Sequence, residues 1–107
     1  MRVLLDECMD ERFRRSFPDH DCQTVKYAGF AGRENGALLD AAEAAKFDVL
    51  LTVDRGFEYE QNLAGRKIAI LIVSAESNRL KHVLPLVPKI LVALGSIQSG
   101  QVIRIGG

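Results

Sequence analysis

Long hydrophobic runs are absent from the sequence. The longest unbroken apolar run, residues 68–73, is far shorter than the ~20 residues that a membrane-spanning helix needs. Asp6 and Glu7 interrupt the only apolar stretch near the start of the chain, so we expect no secretory signal. These absences predict a cytoplasmic protein without a membrane segment.

Cysteines are few, and the chain has no excess of positive or negative charge. Cys8 and Cys22 are the only cysteines, and in a chain rich in core residues we expect them to stay as free thiols. They are too scattered relative to His20 and His82 to predict a zinc site. Basic and acidic residues number 14 each, which excludes a basic coat for nucleic acid and an acidic tail but not a local binding site.

Apolar residues, by contrast, are plentiful. They make up 48% of the 107 residues, which is enough for a sizeable core. No repeat, low-complexity tract or linker-like stretch divides the chain, and its length is that of one domain. We therefore expect residues 1–107 to form a single domain.

Short β-rich runs alternate with helical segments along the chain. The patterns predict strands at residues 2–5, 22–27, 48–53, 67–73 and 102–105. They predict helices at residues 10–17, 35–46 and 78–94, capped by Asp10, Asn35 and Asn78, with the last split by its prolines. Such alternation predicts an α/β fold: a three-layer α/β/α sandwich, Rossmann-like, around a mostly parallel central sheet of about five strands.

Acidic residues follow two of the predicted strands. Asp6 and Glu7 follow the first strand, and Asp54 follows the third. Ligands of parallel sheets bind beyond the carboxyl ends of the strands, so Asp6 and Asp54 would converge there if their strands are neighbours. Two carboxylates suit Mg²⁺ or Mn²⁺, which would permit metal-assisted attack of water on a phosphodiester. Alternatively, both acids only cap the turns that follow them.

Five segments resemble the PIN-like domains, a small bacterial group. In chain order they are residues 3–7 (VLLDE), 35–39 (NGALL), 49–54 (VLLTVD), 59–66 (YEQNLAGR) and 77–80 (SNRL). The resemblance extends from Arg2 to Ile105 and implies a sandwich related to PIN nucleases, which use clustered acids and Mg²⁺ or Mn²⁺ to cut RNA. Many PIN proteins are toxins of toxin–antitoxin pairs, held inactive by a partner protein. The resemblance therefore implies a metal-dependent ribonuclease with RNA and an antitoxin as partners.

The resemblance also assigns candidate site residues. Asp6 matches the first acid of the family and Asp54 the acid after the third strand, so both are expected to bind the metal and to be catalytic. The middle acid of the family falls at Ala37, where this chain has no carboxylate. The acids that could complete the catalytic site in its place are Glu7, Glu34 and Glu58.

Other residues near these segments suggest contacts with partners. Arg33 and Arg55 neighbour the acidic segments, and we expect them to contact RNA phosphates. Ser77 and His82 have no partner that the sequence identifies, so a serine hydrolase is not expected. The helix at residues 78–94 is apolar enough to cover the sheet and still offer a face to a second copy, which predicts a homodimer.

Two other functions are compatible with the same residues. The missing acid at Ala37 favours a degenerate PIN-like domain that binds RNA or protein without catalysis. The acids after strand one, Asp54 after strand three and Ser74 after strand four also suit a phospho-receiver domain. Receivers need a lysine after the fifth strand, however, and here Gly106 and Gly107 follow it.

Overall fold

Five parallel strands form the centre of the fold. A computed structural model describes residues 1–57, 63 and 65–106. The strands pair in the order β2-β1-β3-β4-β5. They are β1 (Arg2–Leu5), β2 (Asp21–Thr24), β3 (Val49–Thr52), β4 (Ala69–Ser74) and β5 (Val102–Gly106). The predicted α/β fold with a parallel sheet of five strands is confirmed.

Short helices connect the strands. In the described part of the chain they are the 3₁₀-helix η1 (Glu11–Ser16), the α-helices α1 (Val25–Ala28) and α2 (Asn35–Ala44), and then α3 (Leu80–Val83), the 3₁₀-helix η2 (Leu84–Leu86) and α4 (Val87–Leu94). None of these helices has the length and apolarity of a membrane span.

The core lies on both faces of the sheet, because successive residues of a strand point to opposite sides. In β4, Leu71 and Val73 pack with Phe13 of η1 and Ile90 of α4 on one face. The alternate residues of the central strands pack against α1 and α2 on the other face; this second cluster includes Leu4, Leu50, Ile70, Ile72, Leu38 and Leu39. The predicted three layers are therefore present, and β4 is covered on both faces as its unbroken apolar run indicates.

The sheet has its switch point between β1 and β3. The chain leaves β1 for the edge strand β2, then crosses back to place β3 on the other side of β1, with Leu5 beside Leu51. A crevice opens at the carboxyl ends of the two strands where the winding direction reverses. The condition for Asp6 and Asp54 to approach each other, that their strands are neighbours, is therefore met.

The second predicted strand ends earlier than the sequence pattern indicates. Residues 25–27 were predicted as strand, but the chain turns into α1 at Val25. The Thr24 hydroxyl accepts a hydrogen bond from the Tyr27 main-chain nitrogen at 3.0 Å and so caps the new helix. Gly29, with φ 85°, ends the same helix in the left-handed conformation that glycine adopts without steric cost.

Two predicted helix caps are wrong. Glu34 and Arg79 occupy the N-cap positions of α2 and α3, one residue away from the predicted Asn35 and Asn78. Both asparagine side chains are instead used in contacts between segments, described below. The Asp10 cap is confirmed, since its carboxylate accepts from the Arg12 main-chain nitrogen at 2.9 Å, although the element it starts is 3₁₀ rather than α.

The proline-rich segment divides as predicted. Pro85 lies in η2 and Pro88 lies in the first turn of α4, so α3 and α4 are separate helices. Proline lacks the amide hydrogen that a continuous helix requires. Glu58, one of the predicted site acids, lies outside the described residues.

Candidate functional site

Asp6 directly follows β1, at the carboxyl end of the sheet beside the switch point. Its main-chain nitrogen donates to the Leu51 carbonyl at 3.0 Å, which continues the pairing of β1 with β3 by one residue. Its side chain is 8% exposed. One carboxylate oxygen accepts from the Thr52 hydroxyl at 2.6 Å and the other from the Glu7 main-chain nitrogen at 2.9 Å. The Cys8 thiol also approaches the oxygen that Thr52 contacts, at 3.7 Å. Neutral donors therefore hold this buried carboxylate, and the oxygen bonded to Glu7 keeps a lone pair for a ligand.

Thr52 joins the two predicted site acids. Its side chain is fully buried at the end of β3. While its hydroxyl donates to Asp6, the same oxygen accepts from the Asp54 main-chain nitrogen at 3.0 Å. The Asp54 backbone is consequently two hydrogen bonds away from the Asp6 carboxylate. Thr52 was not among the predicted site residues, because a threonine at a strand end carries no distinctive spacing.

Asp54 divides its two carboxylate oxygens between a turn and the crevice. One oxygen accepts from the Gly56 main-chain nitrogen at 2.8 Å, an Asx turn that stabilises the loop after β3. The other receives only a long bond of 3.5 Å from the Asn35 side-chain amide at the start of α2. The turn-capping role considered for Asp54 is therefore present, and it occupies one oxygen while the second is left accessible.

These donors suit one kind of metal site better than others. Among residues 1–57, 63 and 65–106, no group of three or more His, Cys, Asp and Glu side chains is placed to hold a metal. Mg²⁺ usually takes one or two carboxylates and fills its other positions with water and substrate phosphate. The open lone pairs of Asp6 and Asp54 fit that requirement. They do not fit a metal that needs four protein ligands, as structural zinc does.

The other predicted acids lie in different environments. Glu7 is exposed directly after Asp6, and Glu34 is exposed at the N-cap of α2, where its side chain makes no capping bond. Ala37 is also exposed, and the contact from the first turn of α2 to Asp54 comes from Asn35 instead. The described contacts include no hydrogen bond or ion pair from the side chains of Glu7 and Glu34. Glu58 lies outside the described residues.

Cys8 lies against the acid pair as a neutral thiol. Its sulfur is 3.7 Å from both the Asp6 carboxylate and the Thr52 hydroxyl. Burial raises the pKa of this thiol; the Asp6 charge raises it further, and a hydrogen bond from the Val53 backbone only partly offsets the rise. Burial likewise raises the pKa of Cys22 to about 11. Both cysteines are free, as predicted, and neither has the lowered pKa of a nucleophilic thiol.

Arg55 points to the carboxyl end of β4. Its guanidinium donates to the Ser74 hydroxyl at 2.7 Å. Beside this bond lies an open depression of ≈ 310 Å³, lined by Val53, Arg55, Val73, Ser74, Ala75, Ser77 and Asn78. Arg33, the other predicted RNA contact, is exposed with its guanidinium 5.4 Å from the centre of the Phe30 ring. The described contacts do not bring Arg33 to the acid pair.

The loop after β4 contains two contacts that the sequence did not reveal. The Ser77 hydroxyl lies 2.5 Å from Nδ1 of His82, whose Nε2 is 3.5 Å from the Glu76 carboxylate. Ser77 and His82 therefore have partners that the sequence did not identify. The Asn78 amide donates to the Cys8 carbonyl at 2.6 Å and ties this loop to the loop after β1. No periodicity signals a contact across so long a separation in the chain.

The arrangement brings two acids, one buried hydroxyl and one arginine to the carboxyl edge of the sheet. Their chemistry must be argued from these residues, since the resemblance to PIN-like domains stands on the sequence segments alone. No protein-family model matches the chain, and comparisons with curated proteins and with solved structures find no match either.

Proposed function

We propose that the chain is a metal-dependent ribonuclease of the PIN type, with Mg²⁺ or Mn²⁺ held by Asp6 and Asp54. The observation that carries this proposal is the Thr52 hydroxyl, which connects the Asp6 carboxylate to the Asp54 backbone at the switch point. Carboxylates at this edge are positioned by the sheet itself rather than by a loop alone. That rigidity is what a site needs to orient a metal and a phosphodiester.

Each residue of the proposed site has a distinct duty. Asp6 provides a buried carboxylate held by neutral donors, and Asp54 provides an accessible oxygen after the neighbouring strand. The metal, when bound, supplies a water of lowered pKa and polarises the phosphoryl oxygen. Glu7 and Glu34 are exposed, one directly after β1 and the other at the N-cap of α2, and would orient that water through hydrogen bonds, a role that Glu58 would share.

Partners follow from the same proposal. RNA is the substrate, and an antitoxin protein that covers the carboxyl edge of the sheet would hold the enzyme inactive. Free thiols at Cys8 and Cys22 are in keeping with a reducing, cytoplasmic setting. For the proposed homodimer, α4 buries Ile90 against the sheet and leaves Val92 76% exposed. A monomer in gel filtration at micromolar concentration would contradict the dimer.

The nuclease proposal is tested by two isosteric substitutions. Wild type is expected to cut single-stranded RNA with Mn²⁺ and to lose this activity in a chelator. Asp6→Asn and Asp54→Asn should each lower the cleavage rate by at least ~100-fold, because each removes one of two charged ligands. Asp40→Asn makes the same change at an exposed acid that pairs with Arg66, and should cut RNA like wild type.

Metal binding provides a second readout. Millimolar Mn²⁺ should raise the melting temperature of wild type, because a ligand that binds only the folded state stabilises it. The shift should vanish in Asp6→Asn and persist in Asp40→Asn. Equal cleavage by wild type and both site variants, or a melting temperature of wild type that Mn²⁺ leaves unchanged, would overturn the proposal.

Two alternatives predict different outcomes. RNA binding without cleavage would favour the degenerate domain suggested by Ala37. A phospho-receiver is favoured by one observation, the strand order 2-1-3-4-5, which receivers share. In this chain, however, the Ser74 hydroxyl that would act as the switch accepts a hydrogen bond from Arg55. Labelling of Asp54 by a small phosphodonor would support the receiver, and failure to label it would exclude that function.

A further inference from the structure

The depression beyond β3 and β4 differs from the acid pair in its charge. Arg55 is the only charged side chain among the described residues that line it, and the others that carry polar groups are Ser74, Ser77 and Asn78. We propose that this depression binds a phosphodiester of single-stranded RNA, adjacent to the one positioned at Asp6 and Asp54. The inference rests on the proposed function, because it assigns a second contact to the same substrate.

Arg55 is held in place without being neutralised. One of its guanidinium nitrogens donates to Ser74 at 2.7 Å, a bond that fixes the side chain but leaves its charge intact. A guanidinium has five N–H donors in a planar fork, so most of them are left for a phosphate. The Ser74 hydroxyl can also turn its hydrogen toward an anion while it accepts from Arg55.

Three other arginines of the protein are neutralised by nearby carboxylates. Arg2, Arg12 and Arg66 each have a carboxylate oxygen within 3 Å. In the described part of the chain, Arg55 has no such carboxylate, although Asp54 is its neighbour in sequence. The Asp54 oxygens are directed to Gly56 and Asn35 instead. A cation that has no carboxylate partner among the described residues, and that follows Asp54 in the chain, can attract one part of a polyanion while a metal receives another part.

Two residues that line the depression, Val53 and Arg55, flank Asp54 in the chain. Val53, Asp54 and Arg55 are consecutive, so the cation and the second acid of the site leave the same strand end. A polymer with regularly spaced phosphates can engage both places at once, whereas a single phosphate ion can occupy only one. Simultaneous contact raises the affinity for the polymer above that of either contact alone.

The test measures RNA binding in the absence of any divalent metal. A fluorescently labelled single-stranded RNA is titrated in chelator with wild type, Arg55→Met and Lys89→Met, and the anisotropy is followed over a range of salt concentrations. Lys89 is an exposed cation on α4, so both variants lose one positive charge. Arg55→Met should weaken binding about tenfold and reduce the salt slope by about 0.7, the value for one phosphate contact. Lys89→Met should change the affinity less than ~2-fold.

Two further measurements show whether the charge or the shape of Arg55 matters and whether the ligand is RNA or a small phosphate. Arg55→Lys keeps the charge but loses the planar fork, and should bind with intermediate affinity. Inorganic phosphate should displace the RNA only at concentrations where a matched chloride salt does so too. Displacement by phosphate far below that concentration would assign the depression to a small phosphate ligand and overturn the RNA assignment.

The outcomes also distinguish this inference from the nuclease proposal. Equal RNA affinities and salt slopes for Arg55→Met and Lys89→Met, or no RNA binding by wild type, would overturn the inference, even if Asp6→Asn abolishes cleavage. Selective weakening in Arg55→Met would support it even if no cleavage is found. Melting temperatures of the two variants should agree with each other, which shows that a lost Arg55–Ser74 bond has not simply unfolded the edge.

Discussion

The two edges of the sheet hold their charges in different ways. At the amino edge, Arg2 pairs with Asp21 at 2.7 Å, and Arg66 pairs with Asp40 and Glu43. At the carboxyl edge, hydroxyl, amide and backbone groups hold Asp6, Asp54 and Arg55, as described above. The two arginines at the first edge are paired with carboxylates, whereas Asp6, Asp54 and Arg55 at the second edge have no ion pair among the described residues. The difference teaches that a charge held by neutral donors is a stronger sign of a ligand site than a charge in an ion pair.

Removal of the Thr52 hydroxyl at the carboxyl edge should lower the free energy of unfolding more than any other substitution considered below. Thr52→Val keeps the shape of a fully buried side chain but removes the shortest hydrogen bond to the Asp6 carboxylate and the acceptor of the Asp54 nitrogen. We expect the free energy of unfolding to fall by about 1–3 kcal/mol, since an unsatisfied buried polar group bears its full desolvation cost. Urea denaturation of the purified variant measures this loss.

A double-mutant cycle shows whether that loss comes from Asp6. In an Asp6→Ala background the Thr52 hydroxyl has already lost its acceptor, so Thr52→Val should cost at least ~1 kcal/mol less than in wild type. Equal costs in both backgrounds would mean that Thr52 stabilises the sheet without acting through Asp6. RNA cleavage should decline in Thr52→Val as well, because the acid pair loses its common anchor.

Substitution at the amino edge should affect stability and leave the chemistry alone. Burial disfavours the charged form of Glu43, but hydrogen bonds from the Lys67 main-chain nitrogen and from Arg66 outweigh burial and lower the pKa of this carboxyl. Glu43→Gln should therefore cost about 1–2 kcal/mol at neutral pH, with unchanged RNA cleavage. Glu76→Gln, at a side chain 85% exposed, is the matched control and should cost less than ~0.5 kcal/mol.

The pH dependence of the Glu43→Gln effect has a definite sign. A carboxyl whose pKa is lowered by folding stabilises the folded state above its unfolded pKa, whose usual value is 4.5. That contribution is lost as the pH falls through the lower, folded value. The difference between wild type and Glu43→Gln should thus be full at pH 7 and shrink below pH 4.5. A constant difference down to acid pH would refute the assigned role.

An acid introduced at position 37 should have the smallest effect on stability. It tests whether a third carboxylate near Asp6 and Asp54 increases catalysis at the carboxyl edge. Ala37→Glu adds an exposed carboxylate to the first turn of α2, where the helix dipole favours negative charge by up to about 0.5 kcal/mol. If the resemblance to PIN-like domains places the middle acid correctly, Mn²⁺-dependent cleavage should increase. Ala41→Glu, one turn later on α2, serves as the control and should leave cleavage unchanged.

The sequence predicts the fold of this molecule well, because the order of strands and helices depends on local patterns. Apolar runs determine β1 and β4, and the alternation of strands with helices determines a parallel sheet whose carboxyl ends share one edge. Asp6 and Asp54 could be placed at that edge without coordinates. Ends of elements were harder, since the Thr24 cap that turns residues 25–27 into α1 competes with a β-rich composition.

The fine structure of the site could not be predicted, because it consists of contacts between distant segments. Thr52 is separated from Asp6 by 46 positions and Asn78 from Cys8 by 70. Neither contact follows from spacing or periodicity. The same holds for the bond of Arg55 to Ser74, which depends on the register of β3 with β4. Side-chain partners across a sheet are set by tertiary packing, and one sequence carries no direct record of it.

The pairing of β1 with β3 also determines when the site forms during synthesis of the chain. Leu5 lies beside Leu51 in this ladder, so the first acid is synthesised long before the strand that orients it. A ribosome that has released only β1 and β2 has made Asp6 but no anchoring hydroxyl and no second acid. Because non-local pairing forms late, the proposed nuclease would be inactive in a nascent chain until most of the sheet has emerged.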